Sequence, residues 1–222
     1  FFDQDRRRTL ASRVAGLAAV VYHNKLGTQL ARVERIERLA ALIARKLGAD
    51  PGYAEAGMGI SFLAVNAGKQ SIALDLKHPD GREVFLRLVA RADALVENFR
   101  PGVMARLGLD HAALARVNAR LVYCAISGFG QTGPFAHRPA YDQIIQGLSG
   151  AMSITGDIRS APLRIGYPVC DTIGGLTAAF AVCAELLRAR TTGQGSFVDV
   201  SMLDATLATM GWIVSNYLNA GV

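Results

Sequence analysis

From residue 70 onward, short apolar runs alternate with helix-length amphipathic patterns, and this rhythm constrains the fold more than any other feature of the 222-residue chain. Ile72, Leu74 and Leu76 alternate with small or polar neighbours, the period of a strand, and His78-Pro79-Asp80-Gly81 supplies turn chemistry before a helix carrying Val84, Phe85, Leu88 and Val89 on one face. A strand is predicted over 94–98, Pro101-Gly102 stops it, and a short helix over 103–107 ends at Gly108. A helix over 112–117 and a strand over 121–126 follow. Beyond them the pattern predicts a helix over 143–152, an apolar helix over 173–188 opened by Asp171, a strand over 197–200, and a single long helix over 203–218. Strands separated by helices imply an α/β fold with a doubly wound, mostly parallel sheet, whose ligands sit at the carboxyl ends of the strands. That rule nominates Asn98-Phe99-Arg100 and the loop after Ile126.

Residues 1–70 resist this scheme and hold most of the charge imbalance: 11 Lys+Arg against 6 Asp+Glu, compared with 13 against 12 in the remainder. The body is near neutral, which argues against a nucleic-acid partner. Arg6-Arg7-Arg8 and Arg13 precede the apolar run 14–22, read as an amphipathic helix with a solvated basic start rather than as a targeting segment. A charged helix is expected over 30–47. The best candidate for a membrane span, 172–187, contains Glu185 and falls short of the ~20 residues a bilayer requires. A soluble protein is therefore expected. Cys124, Cys170 and Cys183 are odd in number, lie in apolar surroundings and lack CxxC spacing, so reduced core thiols in a cytosol-like compartment are expected rather than bridges or metal ligands. The four histidines are scattered, and no metal is expected.

Gly128-Phe-Gly-Gln-Thr-Gly133 spells GxGxxG after a predicted strand, but Pro134 and Pro139 bracket an irregular stretch where a pyrophosphate-binding helix ought to start, so NAD is not expected. Asp171 precedes Thr-Ile-Gly-Gly and a long apolar helix. As an N-cap it would accept backbone N–H bonds. As a nucleophile it would be kept ionised by helix-terminal N–H groups, with Gly174-Gly175 leaving room for a carbonyl. Asn98-Phe99-Arg100-Pro101-Gly102 reads either as a plain turn or as amide, flat apolar face and phosphate fork, the last from Arg100 or Arg106. Lys77 adds a point charge at a strand end.

In combination, Asn66…Lys69-Gln-Ser-Ile-Ala-Leu-Asp-Leu-Lys77, Ala92-Asp-Ala-Leu-Val-Glu-Asn-Phe-Arg-Pro-Gly102 and Ser127-Gly-Phe-Gly-Gln-Thr-Gly-Pro134 resemble the family III CoA-transferases, the group that includes formyl-CoA and carnitine CoA-transferases and the α-methylacyl-CoA racemases. Tyr141-Asp142…Gln146, Pro168-Val-Cys-Asp171…Gly175 and Gly193-Gln-Gly195…Asp199-Val…Asp204-Ala205 continue the resemblance in order, from about Ser61 to Val222. The domain reading follows: an N-terminal helical or irregular segment over 1–60 and a Rossmann-like CoA-transferase domain over 61–222.

The resemblance implies that Asp171 is the catalytic carboxylate and that Leu74, Lys77, Asn98, Phe99 and Arg106 contact coenzyme A. It implies CoA transfer between an acyl-CoA and a carboxylic acid acceptor through a covalent aspartyl intermediate, in a cytoplasmic, interlinked homodimer that works without metal, NAD, nucleic acid or membrane. Racemases of the group place a histidine before the aspartate matched here by Asp142. This chain has Tyr141 there, a poor proton-exchange base at neutral pH. Racemisation, with His137 as a substitute base, is the alternative. A second alternative is a non-catalytic CoA-binding or assembly fragment, since the chain stops at Val222 before the glycine-rich loop and most of the small domain expected in relatives. Pro139 stands where some relatives carry a basic residue near CoA, so one phosphate contact is expected to be lost.

Overall fold

The computed structural model describes residues 68–221 continuously, together with Val21–His23, Gly27–Thr28 and positions 34, 35, 38, 65 and 66. The chain divides into two units, Phe1–Ile72 and Ala73–Val222. In the first, β1 (Val21–His23) and β2 (Gly27–Thr28) pair antiparallel, and residues 34, 35 and 38 are helical. Residues 21 and 22 are therefore strand where an amphipathic helix is expected. The basic cluster and most of 30–47 lie outside the described residues.

The second unit is a parallel sheet covered by helices on both faces. Its strands β3 (Ala94–Glu97), β4 (Val122–Ser127) and β5 (Ser196–Ser201) lie in the order β3-β4-β5, with Ala94 opposite Val122 and Val122 opposite Ser196. The helices are α1 (Pro79–Val89), α2 (Val103–Arg106), α3 (His111–Ala115), α4 (Asp142–Leu148), α5 (Val169–Thr192), α6 (Met202–Thr209) and α7 (Gly211–Ala220). Alternation along β4 divides the core. Tyr123 and Ala125 pack with Val89, Met104, Leu109 and Leu114 from α1 to α3, while Cys124 faces Ala178 of α5 and Val200 of β5. A third cluster, Ile145, Cys170 and Met202, joins α4, α5 and α6 at the carboxyl end of the sheet.

Local chemistry explains most boundaries. The His78 ring nitrogen accepts the Asp80 N–H at the start of α1, with Pro79 at its first position. Asp110 caps α3 through the Ala113 N–H, and Ser201 caps α6 through the Asp204 N–H. At the opposite end of the sheet, the Asn118 amide donates to the Val89 and Ala92 carbonyls and its oxygen accepts the Arg120 N–H, tying α1 to the start of β4.

Four expectations are corrected. Residues 71–75 form no strand: the Asp75 carboxylate and carbonyl accept the Lys77 and His78 N–H groups, closing a turn against Gly81. On α1 the inward face is Phe85, Leu86 and Val89, whereas Val84 and Leu88 are exposed. The single helix expected over 203–218 is two, because Met210 leaves helical backbone at φ −99°, ψ 19°. Cys183 is exposed, unlike buried Cys124 and Cys170. α5 also runs to 24 residues, and by length and composition alone it could cross a membrane, although its packing here is against β4 and β5.

Candidate active site

A cavity of about 490 Å³ opens where β3 and β4 end. Its wall is built from residues 98–101 after β3, 126–128 at the end of β4, 138–141 before α4, Asp171 and Gly175 of α5, and Met202 at the start of α6. This is the carboxyl edge that a parallel sheet reserves for ligands.

Asp171 occupies the first turn of α5, and its position differs from the N-cap reading. Pro168 is the cap residue and has no polar side chain to offer. The capping carboxylate comes from Asp142 instead: its Oδ1 accepts the N–H of Cys170 at 2.7 Å and of Asp171 at 3.2 Å, while Oδ2 accepts Gln146 Nε2 at 2.6 Å. Asp171 is thereby left free of the capping task, with its side chain on the cavity wall. Loss of hydration raises its proton affinity above the ordinary carboxylate value, and the nearby Asp142 charge raises it further. The result is a more basic, more nucleophilic carboxylate.

The two glycines that follow have different duties. A methyl on Gly174 would stand 3.1 Å from Met202 Cγ, so this glycine lets α5 close on α6. A methyl on Gly175 would meet nothing within 4 Å, and this glycine keeps the cavity wall flat. Gly128 serves a third purpose, since its missing methyl would lie 2.4 Å from Ala140 Cβ. The GxGxxG loop is not followed by a helix: Gly130 and Gly133 take positive φ, and Asp199 on β5 holds the loop through the Gln131 N–H.

Of the residues expected to contact CoA, Asn98 and Phe99 share the cavity with Asp171, whereas Leu74, Lys77 and Arg106 are not on its wall. Asn98 already spends its amide on the Ile126 carbonyl at 2.7 Å, pinning the ends of β3 and β4 together. Phe99, 48% exposed, presents a free apolar face. Among the described residues, the wall's cations are Arg100 and Arg138. Arg138 stands 4.3 Å above the Phe135 ring, which meets Phe129 edge-on at 5.7 Å. Arg138 thus puts a cation on the wall one position before Pro139. Tyr141 is on the wall at the start of α4, and His137 is exposed and not among the lining residues.

A family model described as CoA-transferase family III matches residues 9–222. The chain belongs to this family. The match begins well before Ser61, where the legible motifs start. Relatives include an acetyl-CoA:oxalate CoA-transferase of Acetobacter aceti, 49% identical over 66% of this chain and 38% of its own. A succinate–glutarate CoA-transferase of Agrobacterium fabrum is 43% identical over 72% of this chain and 40% of its own. Among solved structures, a CAIB/BAIF family protein from Brucella suis superposes with a TM-score of 0.67 at 39% identity, over 70% of this chain and 41% of that one. The chain spans about two fifths of the length of these relatives. With the parallel sheet and its flanking helices, these neighbours establish the α/β fold of the family III CoA-transferases.

Proposed function

We propose that the protein moves coenzyme A from an acyl-CoA thioester to a carboxylic acid, with Asp171 as the covalent nucleophile. The observation that carries this reading is Asp171 itself: a carboxylate made more basic by its surroundings, relieved of capping by Asp142, on the wall of a cavity at the carboxyl edge of the sheet. An Asp171 oxygen attacks the thioester carbonyl, the C–S bond breaks, and CoA leaves as thiolate, giving an aspartyl anhydride. The thiolate then attacks the Asp171 carbonyl carbon and expels the donor as its carboxylate, leaving an aspartyl-CoA thioester. The acceptor carboxylate attacks that carbonyl and expels CoA thiolate, giving a second anhydride; the thiolate attacks the acceptor carbonyl of this anhydride, breaking its C–O bond to release acceptor acyl-CoA and the Asp171 carboxylate. Flat Gly175 supports close approach of the acyl carbon to α5.

Phe99 offers a surface for the apolar part of CoA, and Arg100 and Arg138 offer positive charge for phosphate or carboxylate. The names of the relatives, with oxalate, succinate and glutarate among their substrates, support a short dicarboxylic acid as acceptor or donor acid. The family resemblance supports a Rossmann-like large domain, an interlinked homodimer and a cytoplasmic setting. Tyr141 in place of a histidine favours transfer over racemisation.

The test is peptide mass spectrometry after incubation with acetyl-CoA or succinyl-CoA followed by hydroxylamine. A hydroxamate at Asp171, absent in D171N, is the expected result. α-Proton exchange into deuterated water without hydroxamate would make the protein a racemase; neither signal would leave a non-catalytic CoA-binding or assembly role.

A further inference from the structure

Asp142 and Gln146 form a buried polar unit whose role no catalytic step above uses. Asp142 is 5% exposed and Gln146 is fully buried, and neither is among the residues lining the cavity. Every polar side-chain atom of the pair is engaged. Asp142 Oδ1 takes the two first-turn N–H groups of α5, Oδ2 takes Gln146 Nε2, and Gln146 Oε1 takes the Ile165 N–H at 2.9 Å. The same Nε2 also reaches the Tyr167 carbonyl at 3.3 Å. Two residues one turn apart on α4 therefore hold both the chain arriving at α5 and the first turn of α5 itself.

A buried carboxylate needs a reason, because desolvating it costs several kcal/mol unless partners compensate. Part of the reason is capping, since Pro168 cannot cap and the helix dipole favours a negative charge at this end. A neutral acceptor such as serine would also satisfy two N–H groups. A full charge does something more: it sits beside the one carboxylate that faces the cavity. The cavity wall that carries Asp171 also carries Arg100, after β3, and Arg138, before α4, cations that suit an anionic substrate.

We propose that Asp142, clamped by Gln146, is the positioning residue of the active site: it fixes the first turn of α5 and holds a buried negative charge beside Asp171. The proposal rests on Asp171 as the reacting group. Asp142 acts through Asp171 and through the backbone of Cys170 and Asp171, without touching substrate.

The test reads Asp171 directly, without requiring activity. In protein labelled with [¹³C]aspartate, the Asp171 carboxyl resonance is assigned by its loss in D171N and followed through a pH titration. In D142N, which retains an acceptor oxygen for the helix but loses the charge, the Asp171 midpoint falls below that of the wild type. D142N also lowers kcat while leaving the KM for acyl-CoA within about threefold, because the cavity wall is intact. A folded D142N with an unmoved midpoint overturns the proposal. If D142N does not fold, amide exchange in the wild-type protein decides. The Cys170 and Asp171 amides, which ordinary first-turn positions leave unpaired, are expected to exchange at least about tenfold more slowly than unprotected amides. Unprotected amides overturn the proposal as well. Failure of the wild type to form any Asp171 hydroxamate, with the D142N midpoint shift present, would remove the transfer reading and leave the positioning role standing.

Discussion

Gly128→Ala probes how the end of β4 shapes the cavity. Gly128 does not use positive φ, so alanine is compatible with its backbone and the cost is one of contact. The added methyl would stand 2.4 Å from Ala140 Cβ, against 3.4–4 Å for ordinary contact, so one side has to retreat by at least about 1 Å. The β4 side is held by parallel pairing of Ile126 with Val200 and Ser127 with Ser201, and the Leu203 N–H donates to the Gly128 carbonyl. Residue 140, in an irregular segment, is the side that yields, and it lies two positions before Asp142. Overpacking of this kind costs about 1–3 kcal/mol. With a urea dependence of about 2 kcal/mol per molar, the unfolding midpoint falls by roughly 1 M. Displacing residues 140–142 also disturbs the cap on α5, so the hydroxamate yield at Asp171 drops. The double variant G128A/A140G removes the opposing methyl and recovers most of the lost stability, less the ~0.5–1 kcal/mol that a new glycine costs through chain entropy. An unchanged midpoint in G128A, or no recovery in the double variant, refutes the contact argument.

Asp171→Asn stabilises the protein at neutral pH. Because the folded-state proton affinity of Asp171 is raised, ionisation costs more in the folded than in the unfolded chain. That cost is absent below the unfolded-state pKa, grows as pH rises through the folded-state value, and is complete above it. The gain is present at pH 7 and vanishes below the unfolded-state carboxylate pKa, by about pH 3, as read from urea midpoints at the two pH values. Asn98→Ala removes the bridge to the Ile126 carbonyl and lowers stability by about 1 kcal/mol; unchanged stability would mean that the amide is available to ligand. Asn118→Ala loses three hydrogen bonds at the opposite sheet edge and costs about 2–3 kcal/mol by the same assay, with no change in the KM for acyl-CoA.

Periodicity located β3, β4, β5 and the helices between them, because burial on both faces writes itself into apolar runs. It failed where the deciding interaction is not periodic. Leu74 and Leu76 alternate like a strand, yet the turn made by Asp75 wins locally. Val84 and Leu88 fit a helical stripe one position away from the face that packs. The break at Met210 is marked in the sequence only by Gly211, which the helical spacing of Leu207, Met210, Ile213 and Val214 overrides. At the site, Asp171, Asn98 and Phe99 were legible as residues at strand ends and a helix start. Asp142 was not legible as the cap, because its partners lie 28 and 29 positions away. Arg138 was not singled out in the sequence; the proline after it and the aromatic residues at 129 and 135 are its only local signals.

Gly175 gives the cavity a dial. Glycine in the body of a helix costs up to about 1 kcal/mol relative to alanine, and nothing within 4 Å forbids the exchange. The protein forgoes that stability at the α5 glycine that faces the cavity, while neighbouring Gly174 is fixed by Met202. On the proposed transfer reaction, Gly175→Ala is therefore a route to a narrower choice of acid. The step to alanine reshapes the pocket and firms the helix together, so selection for a smaller substrate need not oppose selection for a sturdier fold.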